Sequence, residues 1–96
     1  MIHVPDRVTS LIAGERVPAI SGGHDLPVIY PATDETVSLL READAAEVGA
    51  AVDAARTAFD RGPWPRMHVD ERKDVLYRVR DLVRTHADEL VHLECL

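Results

Sequence analysis

Most features that would name a function are missing from this sequence. It has a single cysteine in 96 residues, Cys95, so no internal disulfide can form, which suits a reducing compartment. No apolar run approaches the roughly 18 residues of a membrane span. The opening residues, Met1-Ile2-His3-Val4-Pro5-Asp6, lack the basic-then-apolar order of a secretory signal. Basic residues are outnumbered, 11 Lys+Arg against 17 Asp+Glu for a net charge of −6. A nucleic-acid partner, which needs a basic face, is not expected. Three spaced glycines between a strand and a helix are absent, as is Gly-Lys-Ser/Thr, so Gly22-Gly23 reads as a linker. There is no internal repeat and no low-complexity tract. What is present is 46% hydrophobic residues, too many for an intrinsically disordered chain. The length allows one small domain of marginal independent stability.

The pattern divides near residue 42, with strands and turns before it and helices after it. Val8-Thr9-Ser10-Leu11-Ile12 is β-prone and ends at Ala13-Gly14-Glu15, where Gly14 supplies the positive φ of a tight reversal. Arg16-Val17-Pro18 returns alongside, and Ser21-Gly22-Gly23-His24 is a loop. The segments 25–30 and 36–41 read as strand and strand, joined by a turn at Pro31-Ala32-Thr33-Asp34-Glu35. Pro27 pushes its strand to a sheet edge. Val37 and Leu39 share one face of the second strand, with Ser38 on the other.

Three helices are predicted, at about 44–61, 69–84 and 86–96. Asp44-Ala45-Ala46-Glu47 has capping-box spacing, and Val48, Val52, Ala55 and Phe59 follow at helical intervals. Gly62, as a C-terminal cap, and Pro63 end that helix. Trp64 then anchors the connection, its ring N–H reaching a backbone carbonyl. Val75, Leu76, Val79, Leu82 and Val83 form the apolar stripe of the second helix. Thr85 reads as the N-cap of the third, which carries Leu90, Leu93 and Leu96 and stops in mid-stripe without a cap signal, as a truncated helix would.

Few residues suggest chemistry. His92 and Cys95, with Glu89, share a helical face, but a zinc site needs four ligands, or three and water, and no second cluster supports one. A surface histidine and a half-buried thiol are the preferred reading. Cys95 as a nucleophile needs a helix N-terminus or a cationic neighbour, and instead it follows Glu94 late in a helix. The carboxylate pairs Asp34-Glu35 and Asp70-Glu71 serve turns and helix starts.

The order of these segments resembles the N-terminus of the aldehyde dehydrogenase superfamily. Leu11-Ile12-Ala13-Gly14-Glu15-Arg16-Val17 is similar to that family's opening strand and turn. Val28-Ile29-Tyr30-Pro31-Ala32-Thr33 resembles its Val-Ile-Asn-Pro-Ala-Thr turn. Arg41 to Ala55, ending in Ala58-Phe59, resembles its first helix. Gly62-Pro63-Trp64-Pro65-Arg66-Met67, with Glu71-Arg72, is similar to its Trp linker, and Asp88-Glu89-Leu90 to Leu96 resembles Asp-Glu-Leu followed by Leu-Glu-Thr-Leu. Tyr30, Asp34 and Cys95 depart from the family's Asn, Gly and Thr. His68 stands where a Ser or Thr cap is usual, which predicts a weaker cap.

The resemblance implies an α/β parent fold, with residues 1–96 forming the N-terminal part of its cofactor-binding domain. It implies a parent enzyme that oxidises an aldehyde to a carboxylic acid through a cysteine-bound thiohemiacetal, with NAD or NADP as hydride acceptor. No catalytic or cofactor-binding position of the family has a counterpart in these residues, so the chain alone is expected to be structural, inactive and free of cofactor. One site begins here: a monovalent cation held by backbone oxygens, at positions matching Val28 and Ile29. Its aspartate ligand would follow Leu96, which leaves the site incomplete. The remainder of the parent is the expected partner, in a cytoplasmic homo-dimer or homo-tetramer, with neither membrane nor nucleic acid. The competing reading is a standalone acidic helical module that binds a protein through its apolar stripes.

Overall fold

Ala13 and Gly14 both take positive φ, 52° and 81°. That pair of torsions fits a two-residue type I′ hairpin loop, whose twist matches the strands it joins. In the computed structural model, which describes residues 3–18 and 24–96, the loop connects β2 (Leu11–Ile12) to β3 (Glu15–Arg16). Leu11 lies opposite Arg16 and Ile12 opposite Glu15, and Val17 N–H donates to the Ser10 carbonyl at 2.8 Å. The expected hairpin therefore forms. The β-prone run before it does not stay in one strand, however. Arg7–Val8 separates as β1 and joins a different sheet. The Ser21-Gly22-Gly23 loop lies outside the described residues.

The larger sheet has the order β1-β5-β4, with β4 at Asp25–Tyr30 and β5 at Glu35–Arg41. Pro27 thus sits in an edge strand, where a missing N–H costs least. β4 and β5 are antiparallel, while β1 runs parallel to β5 with Arg7 opposite Leu39. The turn between β4 and β5 closes through Thr33 and Asp34 N–H groups donating to the Tyr30 carbonyl at 3.2 and 2.8 Å. Asp34 takes the left-handed conformation, φ 61°, which a short polar side chain tolerates.

In β5, Ser38 is 7% exposed, whereas its neighbours Val37 and Leu39 are only partly covered. Two local causes account for this. One step on β4, Val28 to Ile29, matches two steps on β5, Ser38 to Thr36, so Val37 is the extra residue of a β-bulge. The Ser38 hydroxyl also donates to the Pro5 carbonyl at 2.6 Å, tying the approach to β1 across it.

α1 spans Ala45–Arg61. Its start is the predicted one: Glu47 N–H donates to Asp44 Oδ1 at 2.8 Å, which satisfies one of the donors a helix leaves open. Its end works differently from expectation. Gly62 is not left-handed. A Cβ there would lie 2.3 Å from the Ala58 carbonyl oxygen, so the close approach of the chain is what calls for glycine. Arg66 then supplies the cap, donating to the carbonyls of Gly62 at 3.0 Å and Asp60 at 2.7 Å.

A short 3-10 turn, Trp64–Arg66, leads to α2 (Val69–Thr85) and α3 (Ala87–Glu94). His68 is the N-cap of α2, its ring Nδ1 accepting from Asp70 N–H at 3.2 Å. Thr85 is not the N-cap of α3. Its hydroxyl donates back to the Asp81 carbonyl at 2.9 Å, and His86 (φ −101°, ψ 19°) is the single residue that breaks one helix from the next. α3 ends at Glu94 rather than running to 96, with Cys95 as its C-cap.

Contacts divide the described residues into two units, within His3–Arg56 and Thr57–Leu96, with the division falling inside α1. Neither unit has an apolar core. No described hydrophobic side chain is buried, and the two buried residues, Ser38 and Arg41, are polar.

Candidate functional site

Among the described residues, the most enclosed charged pair lies where β5 meets α1. β5 ends on Arg41, three residues before the Asp44 cap, and Glu47 sits in the first helical turn. This spacing turns both side chains into the same corner. Arg41 Nη1 donates to Glu47 Oε1, and the two side chains are 6% and 12% exposed. The hydrogen bond it donates to Glu47 pushes the Arg41 guanidinium further above its already alkaline value; burial opposes this, and the charges of Glu47, Asp44 and Asp25 add to the rise. Arg41 Nε and Glu47 Oε2 are buried without hydrogen-bond partners. Glu47 therefore does not complete a reciprocal capping box: the carboxylate that the motif would aim at the Asp44 N–H is turned to Arg41. The sequence pattern identified Glu47 but not Arg41. The pair is six positions apart across the connection from β5 to α1, a spacing no helical or strand periodicity flags.

Val28 and Ile29 lie side by side in edge strand β4, beside the bulge, opposite Ser38 and Thr36. Two residues can offer a cation two backbone oxygens, where a hard cation takes about six or more. The donors present are of the right kind and too few.

The helical residues considered as ligands do not converge. Glu89 pairs with His86, 3.3 Å from its Nδ1. No group of three or more His, Cys, Asp or Glu side chains is placed to hold a metal ion among the described residues. Cys95 is exposed rather than half-buried, as is every residue of α3, the helix it caps. Trp64 remains 41% exposed; the bond made there is through its backbone, with Met67 N–H donating to its carbonyl at 3.2 Å.

The apolar stripes are formed as the sequence predicts, and they are open. Val48, Val52 and Phe59 on α1 are 54%, 62% and 67% exposed. Leu76, Val79, Leu82 and Val83 on α2, and Leu90 and Leu93 on α3, are exposed as well. What the described residues present here is apolar surface available for burial.

Residues 18–96 match the aldehyde dehydrogenase family. The chain belongs to that family. It is 48% identical over 84 residues to aldehyde dehydrogenase family 2 member B4, mitochondrial, of Arabidopsis thaliana, a match covering 88% of this chain and 15% of that protein. It is 44% identical over 84 residues to the mitochondrial benzaldehyde dehydrogenase of Antirrhinum majus, covering 88% and 16%. The crystal structure of an NAD-dependent aldehyde dehydrogenase from Sinorhizobium meliloti superposes with a TM-score of 0.86 at 38% identity, over 99% of this chain and 19% of that one. The chain thus spans less than a fifth of the aldehyde dehydrogenases it matches. The match across the strands and all three helices leaves the standalone helical module without support. No helix among the described residues is long and apolar enough to cross a membrane.

Proposed function

We propose that this chain serves as a structural segment at the N-terminal side of an NAD-dependent aldehyde dehydrogenase that oxidises an aldehyde to a carboxylic acid. The observation that carries the proposal is the open state of its hydrophobic side chains, from Leu11 to Leu93, beside the absence of any buried one among the described residues. Fully burying a side chain of this type is worth about 1.5–3 kcal/mol. A chain that leaves so many uncovered gains its stability by covering them with more of the same enzyme. Its own part is scaffolding: the Arg41–Glu47 pair fixes the exit from the sheet into α1, and the helices offer apolar faces.

NAD or NADP, held outside these residues, supplies the hydride acceptor when bound. The nucleophile and base belong outside them too, so the chain alone is proposed to be inactive. The same reading includes a cytoplasmic location, for which the lone Cys95 suits a reducing compartment, and assembly of the parent into a homo-dimer or homo-tetramer. It also includes a monovalent cation contacted by the backbone oxygens of Val28 and Ile29, supported by their edge position and completed by oxygens elsewhere.

The test is aldehyde-dependent NADH formation by the full-length protein, with and without residues 1–96. Activity that is lost on deletion and restored by co-expressing the missing segment is the expected result. A full-length protein that reduces no NAD with any of a panel of aliphatic and aromatic aldehydes overturns the reading.

A further inference from the structure

A hollow of about 300 Å³ opens between β1 and the β2–β3 hairpin, lined by Pro5, Arg7, Val8, Thr9 and Arg16. Among the described lining residues two are arginines and none is a carboxylate, in a chain whose net charge is −6. Glu15 directly precedes Arg16 on β3, where consecutive side chains point to opposite faces. Each guanidinium is steadied from one side. Arg7 Nη2 donates to Asp25 Oδ2 at 2.6 Å, and Arg16 Nη1 donates to the Thr9 carbonyl at 3.0 Å. A guanidinium carries five N–H donors, so each keeps others for a further acceptor. The Thr9 carbonyl neutralises no charge, which leaves Arg16 as the uncompensated cation of the pair.

We propose that this hollow binds a small oxyanion, phosphate or a carboxylate, between Arg7 and Arg16. Its volume lies at the bottom of the roughly 300–1,000 Å³ range of small-molecule sites, which favours a small ion over a nucleotide. Planar guanidinium forks are the donors best matched to oxyanion geometry. Asp25 competes with the ligand for Arg7, which gives the proposal a sign that can be checked.

The experiment is calorimetric titration of the full-length protein with inorganic phosphate and, separately, with acetate, to tell the two oxyanion sources apart. Saturable binding of either supports the site, and the tighter of the two identifies the ligand class. Arg16→Gln is expected to weaken it about tenfold or more, the loss of one charge-assisted hydrogen bond. Asp25→Asn, which releases Arg7, is expected to strengthen it. Should Arg16→Gln fail to fold, Arg16→Lys keeps the charge without the fork and is expected to bind at intermediate strength. Absence of saturable binding with both anions, an affinity unchanged by Arg16→Gln or Arg16→Lys, or weaker binding in Asp25→Asn each overturns the proposal.

Discussion

Arg41, the last residue of β5, is ion-paired to Glu47 in the first turn of α1, and both side chains are nearly closed off from solvent. The pair couples the end of a strand to the start of a helix. Removing one partner strands a buried charge, whereas replacing both with apolar side chains removes the charge altogether. Arg41→Met and Glu47→Leu are therefore each expected to lower amide-exchange protection at Val48. The double variant is expected to recover most of that loss. Two single losses that simply add in the double variant would show that the pair is not coupled. Because Glu47 raises the Arg41 guanidinium value, the arginine's contribution is present below its unfolded value and is lost only in strong alkali. Protection at Val48 is expected not to fall between neutral and mildly alkaline pH on account of Arg41.

The hairpin loop holds an alanine in a conformation that suits glycine or asparagine. Ala13 has φ 52°, and left-handed geometry costs a residue with a Cβ roughly 1–2 kcal/mol. Ala13→Gly is expected to raise the thermal midpoint of the full-length protein, its extra unfolded-state entropy offsetting part of the gain. A lowered midpoint would contradict the loop geometry.

The Asp44 carboxylate accepts the Glu47 N–H at 2.8 Å, and no hydrophobic contact is needed to explain its presence. Asp44→Ala is expected to cost about 1 kcal/mol, and Asp44→Ser much less. Chemical denaturation of the three proteins side by side checks the order. Equal stability of Asp44→Ala and the parent sequence would remove the cap from the account.

At Gly62 the expected cost is steric rather than conformational. Gly62→Ala places a Cβ against the Ala58 carbonyl, and the neighbour is backbone that cannot swing away. The loss is expected to be about 1–3 kcal/mol, as for other overpacked sites. It should also disturb the Arg66 bonds to the Gly62 and Asp60 carbonyls. A variant with unchanged stability would show that the chain leaves α1 by another path.

What the sequence made legible was local. Asp44 as a cap, the turn through Asp34, Pro27 on an edge and the apolar stripes of the helices, Leu96 excepted, follow from neighbours within about four residues, and each is found in the structure. What was missed depends on distant or chemically unusual partners. Val8 lies opposite Leu40, and nothing near Val8 announces a parallel partner more than thirty positions away. Ser38 is buried because of the Pro5 carbonyl and a bulge at Val37, neither visible in alternation alone. Thr85 had two available roles, N-cap or back-bond to Asp81, and composition does not choose between them. For the candidate site, the position of Val28 and Ile29 came from resemblance, while the Arg41–Glu47 corner emerged only with the fold.

No hydrophobic side chain is buried among the described residues, and we propose that the rest of an aldehyde dehydrogenase covers these side chains. The most direct test is to purify residues 1–96 alone and measure size-exclusion behaviour, binding of a hydrophobic dye and thermal melting together. The account predicts an oligomeric or aggregated species that binds dye and melts without a cooperative transition. A monomer with no dye binding and a sharp, reversible melt would contradict it.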